Sequence, residues 1–199
     1  MHELSQMIKD DMKPALGVTE PGAIAFAVAK ARSFTKGDIK KVNVAMNSGM
    51  YKNAFTCGIP NSNEVGNVFA AALGVVAGNA DKGLESLADV TPEDNVKAQE
   101  MIDQGKVTVE LSGITSRIFI EATVETEEDK AIVTIRDSHT NITKITVNDK
   151  VELETEDEKK TEEDGGEEEA HSIHKYTLQQ LYDYVTTVDI EEIRFINEA

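Results

Sequence analysis

The chain is poor in cysteine: its 199 residues contain one, Cys57. A single thiol excludes a disulfide within the chain. It also excludes an iron–sulfur cluster held by this chain alone, since such clusters take about four thiolates. We interpret Cys57 as a small buried residue, because free cysteine packs as a small apolar side chain.

Aromatic and basic residues are also scarce. The chain has no tryptophan and 5% aromatic residues, so its core must be built from Ala, Val, Ile, Leu and Met. Asp and Glu number 37 against 20 Lys and Arg, a formal net charge of −17. This charge disfavours nucleic acid and anionic membrane surfaces as partners.

Long apolar runs are missing as well. The most apolar stretch, 65–77, is too short to span a bilayer. The first residues, Met-His-Glu-Leu-Ser-Gln, lack the basic and apolar regions of a signal peptide. We therefore expect a cytoplasmic protein without a membrane partner.

Hydrophobic periodicity predicts an α+β fold, in which apolar helices pack with an antiparallel sheet of about four or more strands. We expect a single domain over 1–199 with an acidic mobile loop at 152–170. The predicted helices are 3–13, 21–32, 64–78, a start at Thr91 running to Gly105, 176–188 and 190–196, with a short turn at 84–88. The predicted strands are 40–46, 107–111, 118–122, 132–135 and 142–147.

The segment from Lys13 to Pro21 reads as a loop that ends in a helix start. Pro14 stops the preceding segment, Gly17 permits an unusual φ, and Pro21 suits a first helical turn. Thr19 is predicted to cap this helix. A helix start can hold an anion such as a substrate carboxylate, but an ordinary capped helix has the same sequence pattern.

Two further polar groups are candidates for a binding site. Asn47, Ser48, Lys52 and Asn53 follow a predicted strand and together suit a carboxylate or phosphate. A polar loop at a strand end is the alternative.

A second group lies between two predicted strands at His139-Thr140-Asn141. His139 is an acid–base candidate, because histidine titrates near neutral pH. A hydrogen-bonded turn histidine is the alternative. Glu20 is a second acid–base candidate.

Several of these stretches resemble one family in the same order. The loop before Pro21 resembles the Gly-Cys-Thr-Glu-Pro loop of the L-cysteine desulfidase family, iron–sulfur lyases related to the α-chain of bacterial L-serine dehydratase. The similarity covers nearly all of this chain and about the N-terminal half of a typical family member. The other matching stretches are Asn47-Ser48-Gly49-Met50-Tyr51-Lys52-Asn53, Gly58-Ile59-Pro60, Ala70-Ala71-Ala72-Leu73-Gly74, His139-Thr140-Asn141 and Glu191-Glu192-Ile193-Arg194-Phe195.

The resemblance implies an amino-acid lyase that releases pyruvate and ammonia from cysteine or serine. In the family a [4Fe–4S] cluster polarises the leaving group, and its cysteines lie in the half that this chain does not match. Val18 stands where the family has its loop cysteine. The resemblance implies catalytic roles for Glu20 and His139, no metal ligand in this chain, and substrate binding by Thr19, Asn47, Ser48, Lys52, Asn53, Thr140 and Asn141.

Three interpretations remain open. The first is a split enzyme, in which a C-terminal-half chain carries the cluster cysteines. The second is a non-catalytic domain that binds a small amino acid or carboxylate, or that has a regulatory role. The third is a fragment with exposed apolar area, which predicts a homo-oligomer.

Overall fold

The computed structural model describes residues 1–12, 14–114, 117–155 and 173–197. Their contacts divide into two units. The first unit contains the described residues of Met1–Pro14 and Glu158–Ala199, and the second is Ala15–Asp157. Within the described ranges, no helix combines the length and apolar character that crossing a membrane requires.

Each unit has its own set of elements. The first unit contains the helices α1 (Glu3–Asp11) and α6 (Leu178–Thr187), with 3-10 helices at Ile173–Lys175 and Ile190–Asn197. The helices of the second unit are α2 (Thr19–Arg32), α3 (Ser48–Ala54), α4 (Asn67–Ala77), the 3-10 helix Ala80–Glu85 and α5 (Pro92–Asp103). Its strands are β1 (Ile39–Met46), β2 (Val107–Leu111), β3 (Phe119–Thr126), β4 (Lys130–Arg136), β5 (Ile142–Val147) and β6 (Lys150–Glu154).

The strands form one sheet in the order β2-β1-β3-β4-β5-β6 across the described residues. β1 pairs in parallel with β2, with Val42 opposite Val107, and every other neighbouring pair is antiparallel. The predicted α+β class and mainly antiparallel sheet are therefore confirmed. The sheet has two strands more than the predicted minimum of about four, because β1 also belongs to it and β6 extends it at one edge.

Two apolar helices, α2 and α4, pack against each other, and α2 also contacts β3 and β4. Both helices are apolar on nearly every face, so they are buried within the unit. Small residues bring the two backbones together: a Cβ built on Gly74 of α4 would lie 2.7 Å from the carbonyl oxygen of Ala25 in α2. The sheet contributes alternating apolar side chains to the same core, including Val42, Val44 and Met46.

Residues 48–54 after β1 form helix α3, where the alternative interpretation was a polar loop. Gly49 and Asn53 have low helix propensity, so the segment looks like a loop in the sequence. Met50 and Ala54, four residues apart, are both buried and anchor one face of the helix in the core.

Strand β6 corrects part of the predicted acidic loop. Residues 152–154 of that range are strand, and the whole of β6 is exposed at the edge of the sheet. Its charges pair locally, with Lys144 Nζ 2.7 Å from a carboxylate oxygen of Glu154 and Lys150 Nζ 2.8 Å from one of Glu152. Residues 156–170 of the predicted loop lie outside the described residues. The short helical turn predicted at 84–88 is confirmed: residues 84–85 end the 3-10 helix Ala80–Glu85, and the Ala88 N–H donates to the Glu85 carbonyl at 2.9 Å.

Helix α5 begins with the predicted cap. The Thr91 hydroxyl accepts a hydrogen bond from the Asp94 N–H at 3.3 Å, and the Asp94 carboxylate accepts from the Thr91 hydroxyl at 2.8 Å and the Thr91 N–H at 3.1 Å. The hydrogen bond from the Thr91 hydroxyl, followed by that from its N–H, lowers the pKa of Asp94. The ionised carboxylate is thus the form that the cap stabilises.

Thr91→Ala should lower the free energy of unfolding by about 1 kcal/mol at pH 7, the usual cost of losing a threonine cap. Because the pKa of Asp94 is lowered in the folded state, its contribution is present above the unfolded pKa and is lost as pH falls through the folded pKa. The difference between wild type and variant should therefore shrink between pH 7 and pH 3, as measured by urea unfolding.

Thr177→Ala provides the matched control for this experiment. Thr177 caps α6 in the same reciprocal arrangement, but its partner is Gln180, which does not titrate. Its effect on stability should keep the same size at both pH values. A Thr91→Ala effect that is equally independent of pH would contradict the assignment to Asp94.

Candidate functional site

The loop before α2 ends at Val18, which occupies the N-cap without a side-chain hydrogen bond. Gly17 has φ 95°, a conformation that glycine adopts without strain, so the loop can turn into the helix as predicted. The prediction that Thr19 caps α2 is wrong, because Thr19 is itself the first helical residue. Pro21 falls in the first turn, as predicted. The Thr19 hydroxyl is left to contact other side chains.

A chain of hydrogen bonds connects three separate segments at this helix start. The Thr19 hydroxyl donates to Glu20 Oε2 at 3.4 Å and lies 3.5 Å from His139 Nε2. The Asn53 amide, on α3, donates to Glu20 Oε1 at 3.0 Å. We call Thr19, Glu20, Asn53 and His139 the Glu20 cluster.

The cluster combines groups with complementary chemistry. Thr19, Glu20 and His139 are half-buried, whereas Asn53 is exposed, so the cluster is open to small molecules from solvent. The carboxylate of Glu20 can pair with a cation, and its place in the first turn of α2 is favoured by the helix dipole. Histidine is the side chain best suited to exchange a proton near neutral pH. The cluster therefore suits a small ligand that carries an ammonium group and undergoes proton transfer.

Two predicted ligand-binding residues are used in building the fold. The buried Asn47 side chain donates to the Arg117 carbonyl at 3.2 Å and accepts from the Phe119 N–H at 3.0 Å, which ties the end of β1 to the start of β3. The Asn141 amide donates to the Arg136 carbonyl at 3.1 Å and holds the turn between β4 and β5. Both side chains therefore hold backbone segments in place, and these contacts are not part of the Glu20 cluster.

The other predicted residues lie around the cluster. Ser48 and Lys52 are exposed on α3, the helix that carries Asn53. Among the described hydrogen bonds, none joins these two side chains to the Glu20 cluster. Thr140 follows His139, and its methyl group lies 4.0 Å from the place where a Cβ on Gly83 would be.

Cys57 and Gly83 lie next to predicted site residues, although neither was predicted there. The interpretation of Cys57 as a small buried residue is wrong, because the residue is half-buried. The half-buried Cys57 thiol donates to the Asn53 carbonyl at 2.7 Å, which places it next to the cluster instead of in the core. Gly83 interrupts its 3-10 helix with φ 53° and ψ −123° and faces Thr140. Cys57 lies beyond the end of α3 and contacts the Asn53 backbone, so the helical spacing of side chains does not predict this contact.

A [4Fe–4S] cluster does not fit the donors of this chain. Such a cluster takes about four thiolates, and the sequence has one cysteine. Within the described part of the chain, no three His, Cys, Asp or Glu side chains are gathered as metal ligands. The groups that this chain itself offers to a ligand here are the side chains of the Glu20 cluster and the first-turn N–H groups of α2.

Comparison with known proteins finds relatives that are longer than this chain. No protein-family model matches the sequence, and no solved structure matches it. A UPF0597 protein of Clostridium botulinum strain Hall is 34% identical over 195 residues, which are 97% of this chain and 45% of that protein.

Two further relatives agree with this finding. A UPF0597 protein of Caldanaerobacter subterraneus subsp. tengcongensis is 36% identical over 196 residues, or 98% of this chain and 46% of the relative. A second UPF0597 protein of Clostridium botulinum strain Hall is 33% identical over 98% of this chain and 44% of its own length. The chain is thus similar over almost its whole length to UPF0597 proteins, and it spans a little under half the length of these relatives.

Proposed function

We propose that this chain binds a small L-amino acid, such as serine or cysteine, as the substrate-binding portion of an amino-acid lyase. The observation that carries the proposal is the Glu20 cluster, in which side chains from α2, α3 and the β4–β5 turn meet at the start of a buried helix. The resemblance of its segments to the cysteine desulfidase family supports the choice of ligand class.

Each group of the cluster has a distinct role in this proposal. The Glu20 carboxylate pairs with the α-ammonium group, and the Asn53 amide holds that carboxylate in place. The first-turn N–H groups of α2 face the α-carboxylate, which the helix dipole also favours. His139, held next to Thr19, takes or returns a proton at the bound amino acid.

Val18 favours a second candidate function, a binding domain without turnover. Valine cannot supply the thiol that the resembled family has at this place, since its side chain has no ionisable or metal-binding atom. Under this alternative the chain binds the amino acid through the same residues and releases it unchanged.

Calorimetric titration of the chain with L-serine and L-cysteine tests the binding site that both functions share. We expect saturable binding of the L-amino acids and weaker binding of D-serine, because three groups fix the orientation at Cα. A chain that binds neither L-amino acid contradicts both functions.

Assays for pyruvate and sulfide separate the two functions. The lyase proposal expects product when the chain is co-expressed with a cysteine-bearing partner polypeptide. The alternative expects binding and no product with or without such a partner. Product formed by the isolated chain would overturn the alternative.

A further inference from the structure

Helix α6 presents apolar side chains on two sides. Tyr184 is buried within its own unit, and its hydroxyl lies 2.8 Å from that of Ser5 in α1. Leu178, Tyr182 and Val185 follow the spacing i, i+4, i+7 and so share one face of the helix. Their exposed fractions are 83%, 62% and 65%.

The exposed face continues beyond the helix. Ile190, which opens the following 3-10 helix, is 73% exposed. Four large apolar side chains exposed within 13 residues contrast with the scattered single apolar residues of an ordinary surface. We call Leu178, Tyr182, Val185 and Ile190 the α6 face.

The net charge of the chain disfavours a second copy as the occupant of the α6 face, because each copy carries a net charge of −17 and two copies repel each other. The carboxylates nearest in sequence do not border this face. Asp183 and Asp189 line a cavity together with Tyr184, on the other side of α6, and Glu191 pairs with Arg194. The face is therefore an apolar surface that suits an apolar patch on a different polypeptide.

The lengths of the relatives indicate where such an occupant is found. The UPF0597 proteins continue over more than half of their length outside the region that matches this chain. We propose that the α6 face is the docking surface for a polypeptide corresponding to that additional portion, which contacts it through an apolar patch. The inference is independent of the amino-acid site, because it uses none of the Glu20 cluster.

Co-expression tests the proposal with a defined partner. The tagged chain is expressed together with the unmatched portion of the Caldanaerobacter subterraneus relative as a separate polypeptide, and the purified product is examined by light scattering. We expect a one-to-one complex. The double variant Leu178→Asp, Val185→Asp should weaken it by roughly 100-fold or more, as for central apolar contacts in protein interfaces. Val96→Asp, at a 59% exposed position on α5, should leave it intact.

A chimera that joins the two polypeptides covalently tests the same contact without depending on the affinity of a separate partner. In a chimera, this chain replaces the matching portion of the same relative, and hydrogen exchange is followed at the amides of α6. Exchange should be slower in the chimera than in the isolated chain, and the double variant should remove the difference. Any of four results would overturn the proposal. These are unchanged exchange in the chimera, a complex that the double variant does not weaken, no complex at all, and a homodimer that the double variant dissociates.

Discussion

Gly74→Ala should destabilise the protein by about 2–3 kcal/mol, although the same change at an exposed helix position stabilises by roughly 1 kcal/mol. The added Cβ would lie 2.7 Å from the Ala25 carbonyl oxygen and 2.8 Å from the Ala25 Cα. These are backbone atoms of a buried helix, so no side-chain rotation can relieve the contact. α4 would have to move away from α2, and apolar contacts throughout the core would be lost.

Guanidinium unfolding followed by circular dichroism measures this effect. Gly113→Ala is the matched control, because a Cβ at Gly113 would meet no atom within 4 Å and the residue does not have a positive φ. We expect the control to change stability by less than about 0.5 kcal/mol. A Gly74→Ala protein as stable as wild type would mean that α2 and α4 do not approach as closely as the structure describes.

Glu20→Gln should weaken binding of L-serine by about 10- to 100-fold. The substitution keeps the shape of the side chain and an oxygen that can accept from Asn53, but it removes the charge. A charge-assisted hydrogen bond to an ammonium group contributes about 1.5–3 kcal/mol. Calorimetry measures the loss, and urea unfolding should show that stability changes little.

Two controls separate a role in ammonium binding from a general effect of lost charge. Glu100→Gln, at an exposed position of α5, removes the same charge away from the cluster and should leave binding unchanged. A ligand without an ammonium group, such as lactate, should bind wild type and Glu20→Gln with similar affinity. If the variant binds L-serine as tightly as wild type, the assigned role of Glu20 is wrong.

The sequence was sufficient to predict the elements that local physical chemistry determines. The apolar run of α2 predicts burial, and Thr91 with Pro92 predicts the start of α5. Asn148 and Asp149 predict a turn, and both have a positive φ between β5 and β6. Each of these signals acts within a few residues, so neighbouring sequence is enough to detect it.

Features that depend on distant contacts were not predictable in the same way. Helix α3 is stabilised by burial of Met50 and Ala54, which its own composition does not reveal. His139 and Thr19 are 120 positions apart and meet only because the β4–β5 turn reaches the start of α2. The resemblance selected Glu20, Asn53 and His139 for the site, but it did not provide the hydrogen bonds that connect them.

The position of β1 between β2 and β3 has a consequence for the order of folding. β3, β4, β5 and β6 are joined by short turns and can pair early, whereas β1 meets β2 and β3 only after α3, α4 and α5 have been accommodated between them. Long-range pairing of this kind is slow to form. Until β1 arrives, β3 is a temporary edge strand whose open backbone groups can pair with another molecule. Refolding yield should therefore fall as protein concentration rises, and pulse-labelling exchange should show β1 amides protected after those of β4 and β5.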